Sequence, residues 1–223
     1  MPMEKTTGIP EEARQALEKA STGMVNDALA LAGIQGSVVG IRPVRGFEDT
    51  KIIGPASTVF LAPQHPDTPS KSMYAVIREQ ARGNVLVVDG GGEDAQFAGD
   101  NNGHCALRQG LVGFVVNGGA RDVAGFRALG MPLFCTGAAT RGKNLQIAGV
   151  NVPIIVGGVT IRPGDIIVAD EDGVVAIPAS RLDAVVERLQ TIFEVERGME
   201  EAIKRDAPVP EIAAILAKKK PKP

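Results

Sequence analysis

Apolar residues recur along this chain at two periods, and the change from one to the other marks its elements. Residues 10–20 open with Pro10 and two acids, an entry that suits a helix because the missing proline N–H would be unbonded there anyway. Thr22 stands where a second helix would be capped, with Val25, Ala28 and Leu29 on one face and Gly33 as its stop. "GPASTVFLAP", 54–63, is a strand bounded by glycine and proline. Ser70 is placed to cap a helix through Met73, Val76 and Ile77 that ends at Gly83. From there strand and helix alternate. "NVLVVDGGG" is a buried strand broken by three glycines, 101–109 a short helix and 111–116 a strand. Asn117, Gly118 and Gly119 come next as a turn, 122–129 as a helix and "PLFC", 132–135, as a strand. Continuous apolar strands separated by helices argue for a parallel sheet covered on both faces.

The last third changes character. "VNVPIIVGGVTIRPGDIIVADEDGVVAIP", 150–178, has turns at 157–158, 163–165 and 171–173 and reads as several short strands. After Pro178, Leu182, Val185, Val186, Leu189, Ile192, Phe193, Met199 and Ile203 recur at helical steps. Glu196 falls on the same stripe, where a carboxylate must be paired, lie at a rim, or bind something. The expected architecture is an α/β domain with a C-terminal helical arm, residues 1–205, followed by a tail over 206–223.

Composition removes several function classes. The 223 residues carry a formal charge of −2 with a pI of about 5.8, which gives no electrostatic footprint for nucleic acid. Tryptophan is absent and Tyr74 is the single tyrosine, so no aromatic platform for single strands is expected. Two cysteines, Cys105 and Cys135, make no disulfide framework and fit a reduced, cytoplasmic setting. No apolar run approaches the roughly 20 residues of a membrane helix, and the N-terminus lacks a signal-peptide core. The tail "KKKPKP" reads as a solubilising end.

Three constellations can carry chemistry. Gly90–Gly92 follows the strand residue Asp89, where a ligand could approach the backbone, but the endings of a phosphate-binding loop and of a dinucleotide fingerprint are both missing. A zinc site would need His104, Cys105 and Cys135 to converge, and the first two, as neighbours on a helix, would diverge. Acids are the better candidates. Asp100 and Asp122 both fall just past strand–loop junctions, which in a parallel sheet lie on one edge. Two carboxylates there can hold a hard divalent ion that keeps several waters. Arg121 adds a planar cation suited to an organic carboxylate or an enolate. Free N–H groups at the start of the 101–109 helix can receive a carboxylate. Such equipment stabilises a carbanion next to a carbonyl; adjacent Arg and Asp in a loop are also common as a solvated pair.

At these residues the chain resembles the RraA-like family, which includes the class II 4-hydroxy-4-methyl-2-oxoglutarate/4-carboxy-4-hydroxy-2-oxoadipate aldolases. The matching pattern is Asp100, twenty residues, then Arg121 and Asp122. "TGMVNDALALAG", "GPASTVFLAP", "VLVVDGGGEDAQFAGDN" and the 150–178 block extend the likeness over nearly the whole chain. The resemblance implies a swivelling β/β/α-type domain assembled as a homotrimer or homohexamer, with sites at subunit interfaces. It implies Mg²⁺ or Mn²⁺ bound by Asp122 directly and by Asp100 through water. It implies that Arg121 contacts the pyruvyl oxygen of a small 2-oxo acid, that the backbone N–H groups of Asn101 and Asn102 grip its carboxylate, and that Gly99 belongs to the substrate-binding residues. It implies a glutamate on the C-terminal arm reaching a neighbour's site, Glu196 first and Glu194 second. It implies cleavage of a 4-hydroxy-2-oxo acid to pyruvate, with oxaloacetate decarboxylation as a side activity. The same family contains a regulator of ribonuclease E that acts by binding. Asn102 and His104 depart from the family's usual small or apolar residues and are candidates for added polar contacts to the substrate's far end.

Overall fold

The computed structural model of the chain describes residues 8–67, 71–93, 95–142 and 144–219. In chain order come α1 (Glu11–Lys19), α2 (Thr22–Leu31), β1 (Ser37–Val38), β2 (Arg42–Pro43), β3 (Ile52–Pro63) and α3 (Met73–Arg78). Next are β4 (Val85–Asp89), β5 (Gln96–Ala98), α4 (Asp100–Gln109), β6 (Gly113–Ala120), α5 (Val123–Leu129) and β7 (Leu133–Ala138). The C-terminal part holds β8 (Leu145–Val150), β9 (Ile154–Val156), β10 (Val159–Ile161), β11 (Ile166–Asp170), β12 (Gly173–Ile177), α6 (Leu182–Lys204) and α7 (Val209–Leu216).

Ten strands form one sheet in the order β1-β12-β11-β3-β4-β6-β7-β2, with β5 added beside β6 and β8 beside β3. Its centre, β3-β4-β6-β7, is parallel as expected, but the strands that flank it are antiparallel, including the C-terminal pair β11-β12. The 150–178 block therefore does not build a layer of its own. Most of it extends the main sheet, and only the β9-β10 hairpin stands apart.

Both faces of the sheet are covered, which explains the unbroken apolar runs. In β4, Leu86 and Val88 face α3, α4 and α5 in a core with Phe114, Val116, Ile77, Ala106 and Phe126. Val85 and Val87 face the other way, into a core with Val115, Phe134, Ile167 and the hairpin residues Ile154, Val156 and Ile161. A third core packs α1, α2 and α6 on β11 and β12 through Leu17, Val25, Leu29, Val168, Ile177, Val185, Leu189 and Ile192. Phe114 and Phe126 meet edge to face at 5.5 Å, pinning α5 to β6.

Several local expectations change. Ser21, not Thr22, caps α2: its Oγ accepts from the Met24 N–H at 3.2 Å. Thr22 is instead bound by Asp170, whose carboxylate accepts from the Thr22 hydroxyl at 2.6 Å and N–H at 2.8 Å. α3 stops at Arg78, short of Gly83, and the Ser70 cap lies outside the described residues. The segment after 205 is helical and packed: α7 lies on α6, and the turn after it ends in Lys219, whose ammonium binds Asp27 Oδ2 at 2.7 Å and Glu196 Oε1. Lys219 is thus part of the fold, while residues 220–223 of the basic tail lie outside the described residues. Among the described residues no helix is long and apolar enough to cross a membrane.

Candidate active site

The site starts from a handover between strands. β4 runs beside β6 as far as the pair Asp89 and Asn117, then ends. The chain turns through Gly90–Gly92, and β5 takes the vacated place along the remainder of β6, pairing Gln96 with Gly119 and Ala98 with Ala120. So Asn117–Gly118–Gly119, expected as a turn, is strand, and β5 is an element the sequence pattern did not reveal. Phe97 explains the glycines. A Cβ on Gly90 would lie 2.5 Å from its ring and one on Gly118 2.2 Å, so the ring fills the space those side chains would need.

The glycine turn is held by protein groups. Asp89 Oδ1 accepts from the Gly91 N–H at 3.0 Å and from Asn117 Nδ2 at 2.9 Å. The N–H groups of Gly90 and Gly92 donate to the Asn117 carbonyl at 3.0 and 3.1 Å. Three successive amides are thereby committed, and Asp89 is a buried structural acid.

Because β5 and β6 run side by side, the segments that leave their C-terminal ends are brought together. The Arg121 N–H donates to the Ala98 carbonyl at 2.9 Å, which joins the two strand ends. Gly99 and Asp100 then start α4, while Arg121 and Asp122 lead into α5. Arg121 Nε lies 3.1 Å from Asp122 Oδ2, with both side chains about half exposed. A Cβ on Gly99 would sit 3.0 Å from Asp122 Oδ2 and 3.4 Å from Arg121 Nε. Asp100 lies against α5, where a Cβ on Gly125 would come within 2.6 Å of its Oδ2. Gly99 and Gly125 are therefore the gaps into which the two acids fit. Asp122 adopts φ 57°, ψ 36°, a left-handed conformation that Asp tolerates better than most residues but that still costs energy.

The start of α4 shows which amides remain free. Asn102 reaches back, its Oδ1 accepting from the Gly99 N–H at 3.2 Å, and its own N–H donates to the Gly99 carbonyl at 2.9 Å. Gly99 has no side chain to return the cap, so Asn102 alone closes this end. In this structure the N–H groups of Gly99 and Asn102 both bond inside the helix cap. The N–H groups of Asp100 and Asn101 make no hydrogen bond among the described residues. His104 is exposed on α4 and Cys105 half-buried, so the neighbours do diverge. Cys135 is buried in β7, and burial pushes its thiol pKa up.

Beside Arg121 and Asp122 opens a cleft of about 540 Å³ lined also by Ala120, Val123, Ala138, Ala139 and Thr140. Among the described residues no three His, Cys, Asp or Glu side chains cluster as a metal cage. Asp122 at an open cleft, with Asp100 nearby against α5, instead suits a hard divalent ion that keeps most of its waters, and the space a Cβ at position 99 would fill adjoins Asp122 Oδ2.

Glu196 sits elsewhere in the chain. It is held in a cluster with Lys219 and Asp27 where α6 meets α2, at the core of α1, α2 and α6 and not at that of α4 and α5, and Glu194 is exposed on α6. Neither is brought to the Arg121–Asp122 cleft of its own chain. Gly125 and the Ala138–Thr140 wall were not anticipated. A signal for Gly125 was available, since a glycine inside a helical pattern costs about 1 kcal/mol and asks for a packing reason.

Comparison with known proteins extends the picture. Residues 22–176 match the family model described as RraA-like, Aldolase/RraA. A provisionally named 4-hydroxy-4-methyl-2-oxoglutarate aldolase of Halalkalibacterium halodurans is 37% identical over 176 residues, 78% of this chain and 81% of that protein. Protein DlpA of Legionella pneumophila is 37% identical over 193 residues, 85% of this chain; the chain spans only 31% of DlpA. The crystal structure of RraAS2 of Streptomyces coelicolor, an unusual member of the RNase ES inhibitor RraA protein family, superposes with a TM-score of 0.79 at 32% identity. That likeness covers 89% of this chain and 100% of the other.

Proposed function

Because this chain belongs to the RraA-like family, we propose that it is a divalent-metal-dependent aldolase that cleaves a 4-hydroxy-2-oxo acid, such as 4-hydroxy-4-methyl-2-oxoglutarate or 4-carboxy-4-hydroxy-2-oxoadipate, to pyruvate and a second oxo acid. The observation that carries the reading is that Gly99–Asp100 is brought beside Arg121–Asp122, which line the cleft. Mg²⁺ or Mn²⁺, held by Asp122 and through water by Asp100, would supply Lewis-acid polarisation of the 2-oxo group.

The protein's own groups do the rest. Arg121 uses Nε on Asp122, which orients the guanidinium and leaves its terminal nitrogens for the pyruvyl oxygen, where negative charge develops. The uncommitted N–H groups of Asp100 and Asn101, at the positive end of α4, receive the pyruvyl carboxylate. Water takes the proton of the 4-hydroxyl, its O–H electron pair becomes the new C=O, and the C3–C4 pair becomes the enolate of pyruvate. A proton from water at C3 completes pyruvate. Loss of CO₂ from oxaloacetate leads to the same enolate, so decarboxylation accompanies the aldol cleavage.

The fold family further supports assembly as a trimer or hexamer, with Glu196 or Glu194 offered to a neighbouring subunit. For Glu196 that requires exchange of its Lys219 contact. A second reading, regulation of a ribonuclease by binding, is favoured by the likeness to RraAS2. One experiment separates the two. Purified protein with Mg²⁺ and either oxo acid is followed for pyruvate with lactate dehydrogenase, with and without EDTA. EDTA-sensitive pyruvate is expected, and Asp122→Ala is expected to abolish it while leaving the circular dichroism unchanged. No EDTA-sensitive pyruvate from any such acid would sink the aldolase reading, and turnover surviving Asp122→Ala would refute the metal assignment.

A further inference from the structure

The wall of the cleft that faces Arg121 and Asp122 has a composition of its own. Ala138, Ala139 and Thr140 form it, and Ala120 and Val123 line the same cleft. The Ala139 N–H donates to the Ala120 carbonyl at 2.9 Å, so this stretch is anchored directly to the end of β6. The Cβ of Ala139 fills the space above Gly119, where a Cβ would come within 2.4 Å of it. The wall is thus tied to β6 at Ala139 and made of small residues. Among the residues lining the cleft, only Arg121, Asp122 and Thr140 have polar side chains. Thr140 is exposed, and its hydroxyl has no partner among the described residues.

We infer that Thr140 is the residue that recognises the 4-hydroxyl of the substrate and so separates aldol cleavage from decarboxylation; the inference rests on the aldolase reading of the same cleft. A substrate held by its pyruvyl end at Arg121 and Asp122 directs C4 away from them. In the tertiary alcohols proposed as substrates, C4 carries a hydroxyl beside apolar or carboxylate branches. The three alanines leave room for those branches and offer no hydrogen bond. The Thr140 hydroxyl can accept from the C4–O–H before cleavage and donate to the carbonyl oxygen that replaces it, since a hydroxyl has one donor and two acceptor sites. It does not act as the base. The proton goes to water, the O–H pair forms the C=O, and the C3–C4 pair passes to the enolate. In oxaloacetate C4 is the carboxylate carbon itself, which has no O–H to donate, so the bond that Thr140 accepts from the 4-hydroxyl is missing in its decarboxylation.

The test compares the two reactions in one protein. Thr140→Val keeps the shape of the side chain and removes the hydroxyl, while Thr140→Ser keeps the hydroxyl. With Mg²⁺ present, kcat/KM is measured for 4-hydroxy-4-methyl-2-oxoglutarate and for oxaloacetate, together with inhibition by pyruvate. Loss of one neutral hydrogen bond is worth about tenfold. Thr140→Val is therefore expected to shift the ratio of the two kcat/KM values about tenfold against the 4-hydroxy acid, with pyruvate inhibition unaltered, and Thr140→Ser to restore the ratio. An unchanged ratio, or equal losses in both reactions together with weaker pyruvate inhibition, would overturn the inference. Absence of both reactions from the native protein would overturn the aldolase reading beneath it, which keeps the two failures apart.

Discussion

Alanine in place of Gly125 sets two effects against each other, and the structure decides between them. In a helix, Ala is favoured over Gly by up to about 1 kcal/mol. At position 125, however, the new Cβ would lie 2.5 Å from the Asp100 Cβ, 2.6 Å from its Oδ2 and 3.0 Å from its Cγ. Carbon atoms pack comfortably at about 3.5–4.0 Å, so Asp100 or α5 must move by roughly 1 Å. Overpacking of this kind costs about 1–3 kcal/mol, leaving a net loss of about 0–2 kcal/mol. Gly198 supplies the control. It lies inside α6, and its added Cβ would meet only Ile215 Cγ2, at an ordinary 3.4 Å. Gly198→Ala should raise the melting temperature by about 2–4 °C. The gap between the two variants, about 1–3 kcal/mol, isolates the clash from helix propensity and amounts to roughly 2–12 °C. Displacing a positioned group by about 1 Å typically costs on the order of a hundredfold in rate. Differential scanning fluorimetry and the pyruvate assay measure both quantities. Equal stabilisation by the two substitutions, with native turnover in Gly125→Ala, would refute the packing of Asp100 on α5 and its part in the site.

Two further outcomes are expected. Phe97→Ala empties the space between Gly90 and Gly118 and should cost about 3–5 kcal/mol in denaturant unfolding. Hydrogen exchange should speed up at the amides of Gly119 and Arg121, which bond to Ala95 and Ala98; a loss under about 1 kcal/mol with unaltered exchange would contradict the role given to this ring. Lys219→Ala removes the cation between Asp27 and Glu196 and should cost about 0–1 kcal/mol, as is usual for pairs near the surface. Desolvation pulls the Lys219 pKa down, but its hydrogen bonds to the two carboxylates outweigh it and hold the pKa above the ordinary 10.5. The contribution is therefore complete below 10.5 and lost as pH rises through the raised folded value, so the difference in melting temperature from the native chain should close only above that pH. A difference that persists there would mean packing, not charge, supplies it.

Features with a period or a fixed spacing are legible in the sequence. The strand 85–89, the helix from 100 and the acid–arginine–acid pattern can be read because each signal is local. The features that mislead share a cause, which is a partner distant in the chain. Asn117–Gly119 resembles a turn because the side chain that fills the glycines' space belongs to Phe97, in a strand of three residues, too short to show alternation. Thr22 resembles a cap because Asp170, the group that claims it, lies 148 residues away. Glu196 stands out as an acid on an apolar seam, but its cation comes from the far end of the chain. Asn102 is the exception. It stands three residues after a helix cap, a spacing that announces a capping role, and its departure from the family pattern is accounted for locally.

The handover from β4 to β5 has a consequence for how this molecule tolerates change. Asp100 and Asp122 are suspended from the same strand, β6, one through its neighbour and one through its own end. Their separation is measured across a single hydrogen-bonded step and does not depend on where β4 stops. Residues gained or lost between Gly92 and Ala95 would change the path into β5 without altering the distance between the two acids. A chemistry fixed in this way can be carried by chains that differ in length just upstream of it, and it fails when the seam between β5 and β6 itself opens.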